Sequence, residues 1–385
     1  MTATLIPADI GDETNARILA ISEDRIAGFL EDPFAEIARL SGVSEEVVHA
    51  RVRAMLQAGT IRRVRQTLMA TNLAPGALVA WRVPEEKLDA AFEYFVHDDP
   101  FSGHVVIRST DGATPGSTYR LWTTLKVPQG YSRTKHCEVL AERVGADAFR
   151  VMPAKRLFAL GVGHVRRKGM APGARSDEPG RVMDTNIVDL SPLEWRVLEP
   201  LKRELAIDEI GALPWRARAE EAGVSYVEFL QVARGLAERG VIGRFSTFLE
   251  HVKPGADGVR VTRYNALFHW RVPVGREIEA GKEVGRHHIL THAYWREGGA
   301  EFANVNIMAV AHGTEKQLVL EHKAAIDMHL EEAGIPVSYT NVFWGGRSEI
   351  KPSEIAPGAY VSWCKSIGVN PETMRATAGE EPGAA

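Results

Sequence analysis

The sequence predicts an α+β fold written twice, as a tandem repeat of a winged helix-turn-helix followed by a ferredoxin-like βαββαβ domain. Three observations predict it. Trp81-Arg82-Val83-Pro84 recurs as Trp270-Arg271-Val272-Pro273. A helix closing on glycine and a short basic strand precede each copy, with Gly59 before Ile61 to Arg63 and Gly240 before Ile242 to Arg244. A histidine-bearing strand follows each, around His104 and His292. The Trp, His and Gly landmarks are offset by 189, 188 and 181 residues. Near-constant offsets across such a span mark an internal repeat.

The elements follow in order. Phe34 to Leu40 reads as a short amphipathic helix and Ser41-Gly42-Val43 as a turn. A second helix starts at Ser44, its expected N-cap, with Glu45 and Glu46 beside the positive helix end. Val48, Val52, Met55 and Leu56 keep helical spacing. Helix, turn, helix and basic strand make the winged motif. The second copy repeats it with Trp215 to Glu221, Ala222-Gly223-Val224 and Ser225 to Arg239. Ala77 to Val83 then reads as a strand, Glu85 to Val96 as a helix, and His104 to Ser109 and Tyr119 to Val127 as strands. Cys137 to Val144 is a helix and Arg156 to Val162 a last strand, which completes a βαββαβ order. The counterparts are Arg263–Val272, a helix within Glu277–Arg286, Ile289–Arg296, Val305–Ala311, a helix through Leu318–Ala333, and Val337–Trp344.

These elements divide the chain into a first winged helix-turn-helix (1–70), a first ferredoxin-like domain (71–164), a linker (165–189), a second winged motif (190–252), a second ferredoxin-like domain (253–345) and a C-terminal extension (346–385). The linker is read from Arg166-Arg167-Lys168-Gly169, Pro172-Gly173 and Pro179-Gly180, which carry charge and breakers without apolar periodicity. From about Thr373 the composition predicts disorder.

Composition excludes several classes. With 46 basic and 50 acidic residues the formal charge is −4, which argues against a dedicated nucleic-acid binder. Two cysteines, Cys137 and Cys364, are too few for a disulfide scaffold or a thiolate metal site. No run approaches the ~18–20 apolar residues of a membrane span. Met1 to Asp9 lacks a basic segment with an apolar core. A cytoplasmic protein with no membrane association is the expectation.

Alternation along a strand over 288–296 puts His288, Leu290, His292, Tyr294 and Arg296 on one face. Asn304, Asn306 and His312 share a face of the next strand, and Arg120, Trp122 and Thr124 take the corresponding place in the first copy. An imidazole, a phenol and a guanidinium aimed together suit acid/base chemistry on an anionic substrate. A solvent-facing polar edge is the plainer reading. His287, His288 and His292 lack a carboxylate or cysteine at ligand spacing, so no metal site is expected. Arg62, Arg63 and Arg65, with Arg244 in the second copy, follow the helix-turn-helix motifs as phosphate or carboxylate partners. Trp81, Trp122, Trp270 and Trp295 are either ordinary core or surface for a flat ring. His49, Arg51 and Arg53 suit DNA on the first recognition-type helix. On the second, Tyr226, Glu228, Phe229, Gln231 and Arg234 do not.

A winged helix followed by a βαββαβ domain resembles the Lrp/AsnC family of bacterial regulators, over nearly the whole of each half. The strand motifs resemble a specialised branch, the siroheme decarboxylases of d1-type haem and alternative haem biosynthesis, in which a fused two-copy form occurs. His292-Ala293-Tyr294-Trp295-Arg296 matches the family's His-x-Tyr-x-Arg strand. Arg120 to Leu125 and Asn306 to Gly313 resemble its Asn-Leu-Trp-Phe-Thr-Leu strand. Met152 to Val162 is close to its Leu-Pro-x-x-Arg-x-Phe-x-x-Gly-Val segment. In the first copy, His104-Val105-Val106-Ile107-Arg108 lacks the tyrosine. In the second, Tyr339 to Trp344 replaces the final segment. One half can therefore be catalytic and the other a partner surface.

The resemblance implies removal of CO2 from siroheme acetate side chains to give didecarboxysiroheme. No added cofactor is expected, the siroheme iron entering with the substrate. It implies His292 as proton donor with Tyr294 assisting and Arg296 positioning the acetate, and His104 and Arg108 as counterparts. Arg62, Arg63, Arg65, Arg108, Arg120, Arg244 and Asn306 would bind substrate. The βαββαβ domains of this family pair through their sheets, so an intramolecular pseudo-dimer is expected and a homo-oligomer is open. DNA is not an expected partner. A tandem DNA-binding, ligand-sensing regulator and a tetrapyrrole binder without catalysis remain as alternatives.

Overall fold

The computed structural model describes residues 6–69, 72–74, 76–160, 170–183, 187–250 and 263–377. Along the first half run α1 (Glu13–Ser22), β1 (Ile26–Ala27), α2 (Pro33–Ser41), α3 (Glu45–Gln57), β2 (Ile61–Leu68), β3 (Gly76–Arg82), α4 (Leu88–His97), β4 (Ser102–Ser109), β5 (Leu121–Lys126), α5 (Arg133–Val144), β6 (Ala148–Pro153) and β7 (Arg156–Leu160). The second half has α6 (Pro192–Leu201), α7 (Arg216–Ala222), α8 (Tyr226–Glu238), β8 (Ile242–Leu249), β9 (Tyr264–Arg271), α9 (Glu277–Gly285), β10 (Leu290–Trp295), β11 (Ile307–Gly313), α10 (Lys316–Glu332), β12 (Tyr339–Ile350) and α11 (Pro357–Ser366). They assort into two compact units. One holds Met1–Met69 and Val188–Arg263, the other Ala70–Leu160, Met170–Ile187 and Tyr264–Ala385. Like elements of the two halves thus share a unit.

In the first unit the two basic strands, β2 and β8, pair antiparallel with Val64 opposite Thr247 and Arg65 opposite Ser246, and β1 adds to the other side of β8. The helices start where side chains cap them: Asp12 for α1, Asp32 with Pro33 behind it for α2, a Ser191–Glu194 capping box for α6 and Ser225 for α8. Ser44 occupies the N-cap of α3 with extended backbone, but its hydroxyl makes no capping bond. The sequence reading also missed α1. Two of its four buried positions are Asn15 and Ser22, which breaks the apolar periodicity. Phe34, Phe245 and Trp215 form the aromatic centre of the unit, with ring centroids 5.3 Å (Phe34–Phe245) and 6.0 Å (Trp215–Phe245) apart.

The second unit is a nine-stranded sheet ordered β6-β3-β5-β4-β12-β9-β11-β10-β7. The halves exchange their last strands. β12 pairs with β9 of its own half through Tyr339–Gly345, then with β4 of the other through Trp344–Ile350. In the first half the same run is split at Ala154 and Lys155. β6 pairs with its own β3, and β7 crosses to β10. The sequence reading gave each copy a single terminal strand and missed β6. On the helix side, each half buries its own core. One is built from Val79, Trp81, Leu121 and Leu125 under α4 and α5, the other from Phe268, Trp270, Ala309 and Ala311 under α9 and α10. A third core of Ala80, Val106, Trp122, Met152, Leu267, Met308 and Phe343 fills the opposite face. Phe302 joins it from the β10–β11 connection. Trp122 of β5 lies 6.0 Å from His269 of β9, so the sheet folds back upon itself around that core.

Two expectations about the chain's connections are corrected. Residues 170–183 of the predicted linker are pinned. Ser176 N–H donates to Arg286 O (3.0 Å), Gly180 N–H to Lys282 O (2.9 Å) and His288 N–H to Ala174 O (3.1 Å). Residues 165–169 and 184–186 lie outside the described residues. The C-terminal extension is integral. β12 runs to Ile350, and Tyr360, Trp363, Cys364 and Met374 belong to the first half's core. Ser132 N–H also donates to Met374 O (2.8 Å), so order continues past Thr373. Residues 378–385 lie outside the described residues. Among the described residues no helix is long and apolar enough to cross a membrane.

Candidate active site

On the inward face one polar row crosses the sheet. Arg108 on β4 stands opposite Gly345 on β12, Gly345 opposite Asn265 on β9, and Asn265 opposite His312 on β11. Because Gly345 has no side chain, the Arg108 guanidinium passes over it, and Nη1 donates to Asn265 Oδ1 at 3.1 Å. A Cβ at 345 would lie 3.2–3.3 Å from the Asn265 side chain. Asn265 Nδ2 lies 3.1 Å from His312 Nε2, His312 Nδ1 3.4 Å from Thr291 Oγ1, and His292 Nδ1 3.0 Å from Thr291 Oγ1. The row thus links a residue of the first half to His292 of the second. It runs from a 4% exposed guanidinium to a half-exposed imidazole.

A register shift between Leu290 and His292 makes this row possible. Strict alternation would put both on one face. Instead Leu290 joins the helix-side core, while His292 and Tyr294 stand opposite Val310 and Met308 on the inward face. The predicted common face of His288, Leu290 and His292 is corrected accordingly. The His292 and Tyr294 rings are stacked at 6.0 Å with 10° between their planes, and the Arg296 guanidinium lies 4.5 Å from the Tyr294 ring centroid. Burial raises the Tyr294 pKa against the opposing pull of Arg296, so the phenol keeps its proton.

Arg296 and Arg108 are not rim contacts. They are 8% and 4% exposed and make equivalent bonds, Arg296 Nη1 to Met152 O and Arg108 Nη1 to Phe343 O (3.2 Å). Met152 stands opposite Leu78 and Phe343 opposite Leu267, the same place in each repeat. Each arginine therefore clamps a late strand of the other half, β6 for Arg296 and β12 for Arg108. Burial alone pulls Arg108 down to about 9. Burial, with the Arg108 and Lys323 charges, holds His269 at about 3, so its imidazole is neutral.

Other predicted site residues are placed differently. Asn306 Nδ2 donates to Val272 O (3.0 Å) and Glu277 Oε1 (3.1 Å), and its Oδ1 accepts from Val272 N–H (2.9 Å). All its polar atoms are engaged, so it is a strand-end brace rather than a substrate contact. Arg120 Nε donates to Arg108 O (2.8 Å), and its Nη1 donates to Glu85 (3.1 Å). His104 faces inward with Thr124 and lies 2.8 Å from Ser348 Oγ. Asn304 is in a left-handed turn at φ 54° before β11 begins. Trp81, Trp122 and Trp270 are fully buried, with their indole N–H groups given to Thr123, Tyr119 O and Asp327. Trp295 is half-buried, with Lys155 Nζ 5.0 Å from its ring centroid. His287 Nε2 lies 2.8 Å from His329 Nδ1. Sequence reasoning missed Asn265, Thr291 and His269. The one available signal was their place on strands flanking His292 and Trp270.

In the first unit, Arg63 pairs with Glu204 (3.1 Å), and the Arg65 guanidinium lies 5.3 Å from the Phe248 ring centroid. Burial and the charges of Arg63, Arg62 and Arg244 pull Arg65 down to about 10. Burial likewise lowers Arg244. A cation crowded by like charges favours an anionic ligand. The recognition-type helices turn their basic groups to the protein. Arg51 bonds Asp12 (3.2 Å), Arg53 bonds Ile210 O, and on α8 Arg234 bonds Glu31 (3.0 Å).

Comparison with known proteins follows the same lines. Residues 73–159 match the model of the AsnC-like ligand binding domain. A siroheme decarboxylase of Hydrogenobacter thermophilus is 26% identical, across 79% of this chain and 84% of that protein. The siroheme decarboxylase NirDL subunit of Paracoccus pantotrophus is 24% identical, across 79% and 86%. A crystal structure of the siroheme decarboxylase NirDL superposes with a TM-score of 0.64 at 20% identity, covering 92% of this chain and 99% of that one. A second, in co-complex with an iron-uroporphyrin III analogue, gives 0.62 at 19%, covering 92% and 100%.

Proposed function

We infer that this chain is a siroheme decarboxylase of the Lrp/AsnC-like superfamily, a carboxy-lyase acting on an anionic tetrapyrrole. The observation that carries the reading is likeness to siroheme decarboxylases along most of both chains. The geometry adds a stacked imidazole and phenol on the inward face, joined across the sheet to the first half. Regulation through DNA is disfavoured, since the basic groups of α3 are spent on Asp12, Pro7 O and Ile210 O.

In this reading the macrocycle is its own electron sink and no added cofactor is called on. Protonation of the pyrrole beside an acetate arm makes the ring an acceptor. The C–C bond to the carboxylate breaks, CO2 leaves, and the bonding pair passes into the ring. The exocyclic carbon then takes a proton as the ring gives one up, so each acetate converted to methyl consumes one proton. His292 supplies the proton and Tyr294, a neutral phenol, assists. Arg296, with its guanidinium 4.5 Å from the Tyr294 ring centroid, holds the phenol in place. The wing arginines, Arg65 foremost, are suited to substrate carboxylates. The exchanged strands support reading the chain as an intramolecular pseudo-dimer.

The test is mass spectrometry of the tetrapyrrole after anaerobic incubation of the purified protein with siroheme. Loss of two CO2 is expected. Loss of one would mean a single working arm, and unchanged siroheme with folded protein would overturn the reading. His292→Ala should lower kcat by ~10²-fold or more while the circular dichroism spectrum stays that of the parent.

A further inference from the structure

Residues 170–183 lie against α9, α10 and the run into β10, and a buried pair of histidines sits where they meet. His287, in that run, is 2% exposed, and His329, on α10, is 5% exposed. His287 Nε2 lies 2.8 Å from His329 Nδ1, and His329 Nε2 lies 2.9 Å from Glu283 Oε2 on α9. A carboxylate only accepts, so His329 gives it the Nε2–H and keeps a lone pair on Nδ1. His287 Nε2 donates its proton to that lone pair. Two neutral rings thus satisfy the bond. With every ring nitrogen protonated, two N–H groups would face each other across 2.8 Å.

Cations close the pair in. Arg286 Nη1 donates to Glu283 Oε2 (2.8 Å), while its Nε and Nη2 donate to Ser176 O (2.8 Å) and Asp177 O (3.2 Å). The Arg175 backbone bridges to His287, and its guanidinium lies 3.9 Å from Glu332 on α10. Burial, then the facing ring and the Arg175 and Arg286 charges, holds His287 at about 3. Burial and Arg175 also lower His329, against the pull of Glu283. Burial lowers His322 on α10, against a bond to the Met170 backbone and the charge of Glu321.

We propose that residues 170–183 form an acid-released clasp, in which protonation of the His287–His329 pair drives Arg175 and its neighbours off α9, α10 and the run into β10. The clasp stands whether or not the chain decarboxylates siroheme. At one end Leu157 of β7 and Met183 exchange both backbone bonds (3.2 and 2.9 Å), and at the other His288 N–H donates to Ala174 O. It therefore grips the two strands that pair at Leu160 and His292.

The first half fastens its own tail differently. At an offset of 188, Asp99 stands at the place of His287. Its carboxylate lies 3.6 Å from His136 Nε2, and its backbone carbonyl accepts from Lys351 Nζ (2.5 Å) in the C-terminal extension. Against burial, the His136 ring, Ser102 and the Phe101 N–H hold that carboxyl below its ordinary value. An anion facing an imidazole tolerates acid where two imidazoles do not.

The test is amide hydrogen exchange of the full-length protein between pH 7.5 and 5.0, each rate taken against that of the unfolded chain at the same pH. The clasp's donors are the amides of Ser176, Gly180, Met183 and His288. Their protection should fall by up to about 30-fold. That is the factor by which one histidine, neutral when closed and of ordinary pKa 6.5 when open, favours opening across this range. The Lys351 and Glu354 amides, which hold the first half's tail, and the β9–β11 ladder should keep theirs. His287→Gln keeps a donor for His329 but takes up no proton, and should flatten the fall. Arg175→Gln removes the opposing charge from the clasp itself and should make the fall shallower. Constant clasp protection in the parent overturns the proposal. So does a fall shared equally by the β9–β11 ladder, which would be unfolding of the whole unit. A fall unchanged in His287→Gln overturns it as well, and if that variant does not fold, one unchanged in Arg175→Gln does.

Discussion

Ala303 and Asn304 follow one another at φ 54°, the only non-glycine residues at positive φ among those described. The left-handed conformation costs a residue with a Cβ roughly 1–2 kcal/mol, and asparagine tolerates it better than alanine. The strained turn drives Phe302 into the inward core, where it is 1% exposed and lies against Tyr119 and Trp122. Ala303→Gly should therefore raise stability, by up to ~1 kcal/mol, as read by urea unfolding. An unchanged or lowered midpoint would show that the turn is relaxed. Single residues were also where sequence reading was weakest. Parity put His292 and Tyr294 on one face, but it could not show that Asn306 sits just past a strand end, where the Val272 backbone takes its amide. Nor could charge alone show that Arg108 and Arg296 are buried clamps, since the carbonyls they reach belong to the other repeat.

At the scale of elements, β7 of the first half packs closely against α9 of the second. Gly281 is buried in α9, and a Cβ there would stand 2.1 Å from the Phe158 ring brought by β7. Gly281→Ala should cost ~1–3 kcal/mol, the usual penalty of overpacking. Adding Phe158→Ala should recover part of that cost. A double-mutant cycle measures the coupling, and strict additivity would refute the contact. Most elements were legible because their signals are local: glycine-closed helices, alternating strands and the repeated Trp-Arg-Val-Pro at a strand end. The exchanged partners of β7 and β12 were not. Strand pairing over such distances leaves no periodic trace. The register shift at Thr291 is equally silent, because it alters facing without altering composition. α11 escaped notice because Pro357 and Gly358 open it and only Tyr360, Trp363 and Cys364 are buried along it.

The whole molecule carries several histidines that stay neutral because they are buried. His269 and His287 are both held near about 3, by burial first and by neighbouring cations or His329 second. Their unfolded pKa is about 6.5. Above that value neither affects stability. As pH falls below it the unfolded chain takes up protons that the folded one refuses, so stability declines continuously toward pH 3. Each group can subtract ~1.4 kcal/mol per pH unit at most. Urea midpoints should fall between pH 7.5 and 5. His269→Phe should flatten that slope, since His269 lies between Phe302 and Phe343 and its Nε2 has no hydrogen-bond partner. Equal slopes for parent and variant would refute the assignment.

The exchange of last strands has a consequence beyond geometry. Two separate polypeptides built this way would dissociate on dilution and would depend on matched synthesis. Joined in one chain, the halves meet at an effective concentration on the order of millimolar, whatever the abundance of the protein. Neither half can be supplied in excess, and neither can pair with its own kind without leaving the partner's edge open. Fusion thus releases the duplicates from having to recognise themselves. Each is free to drift at its interior positions so long as it still completes the other.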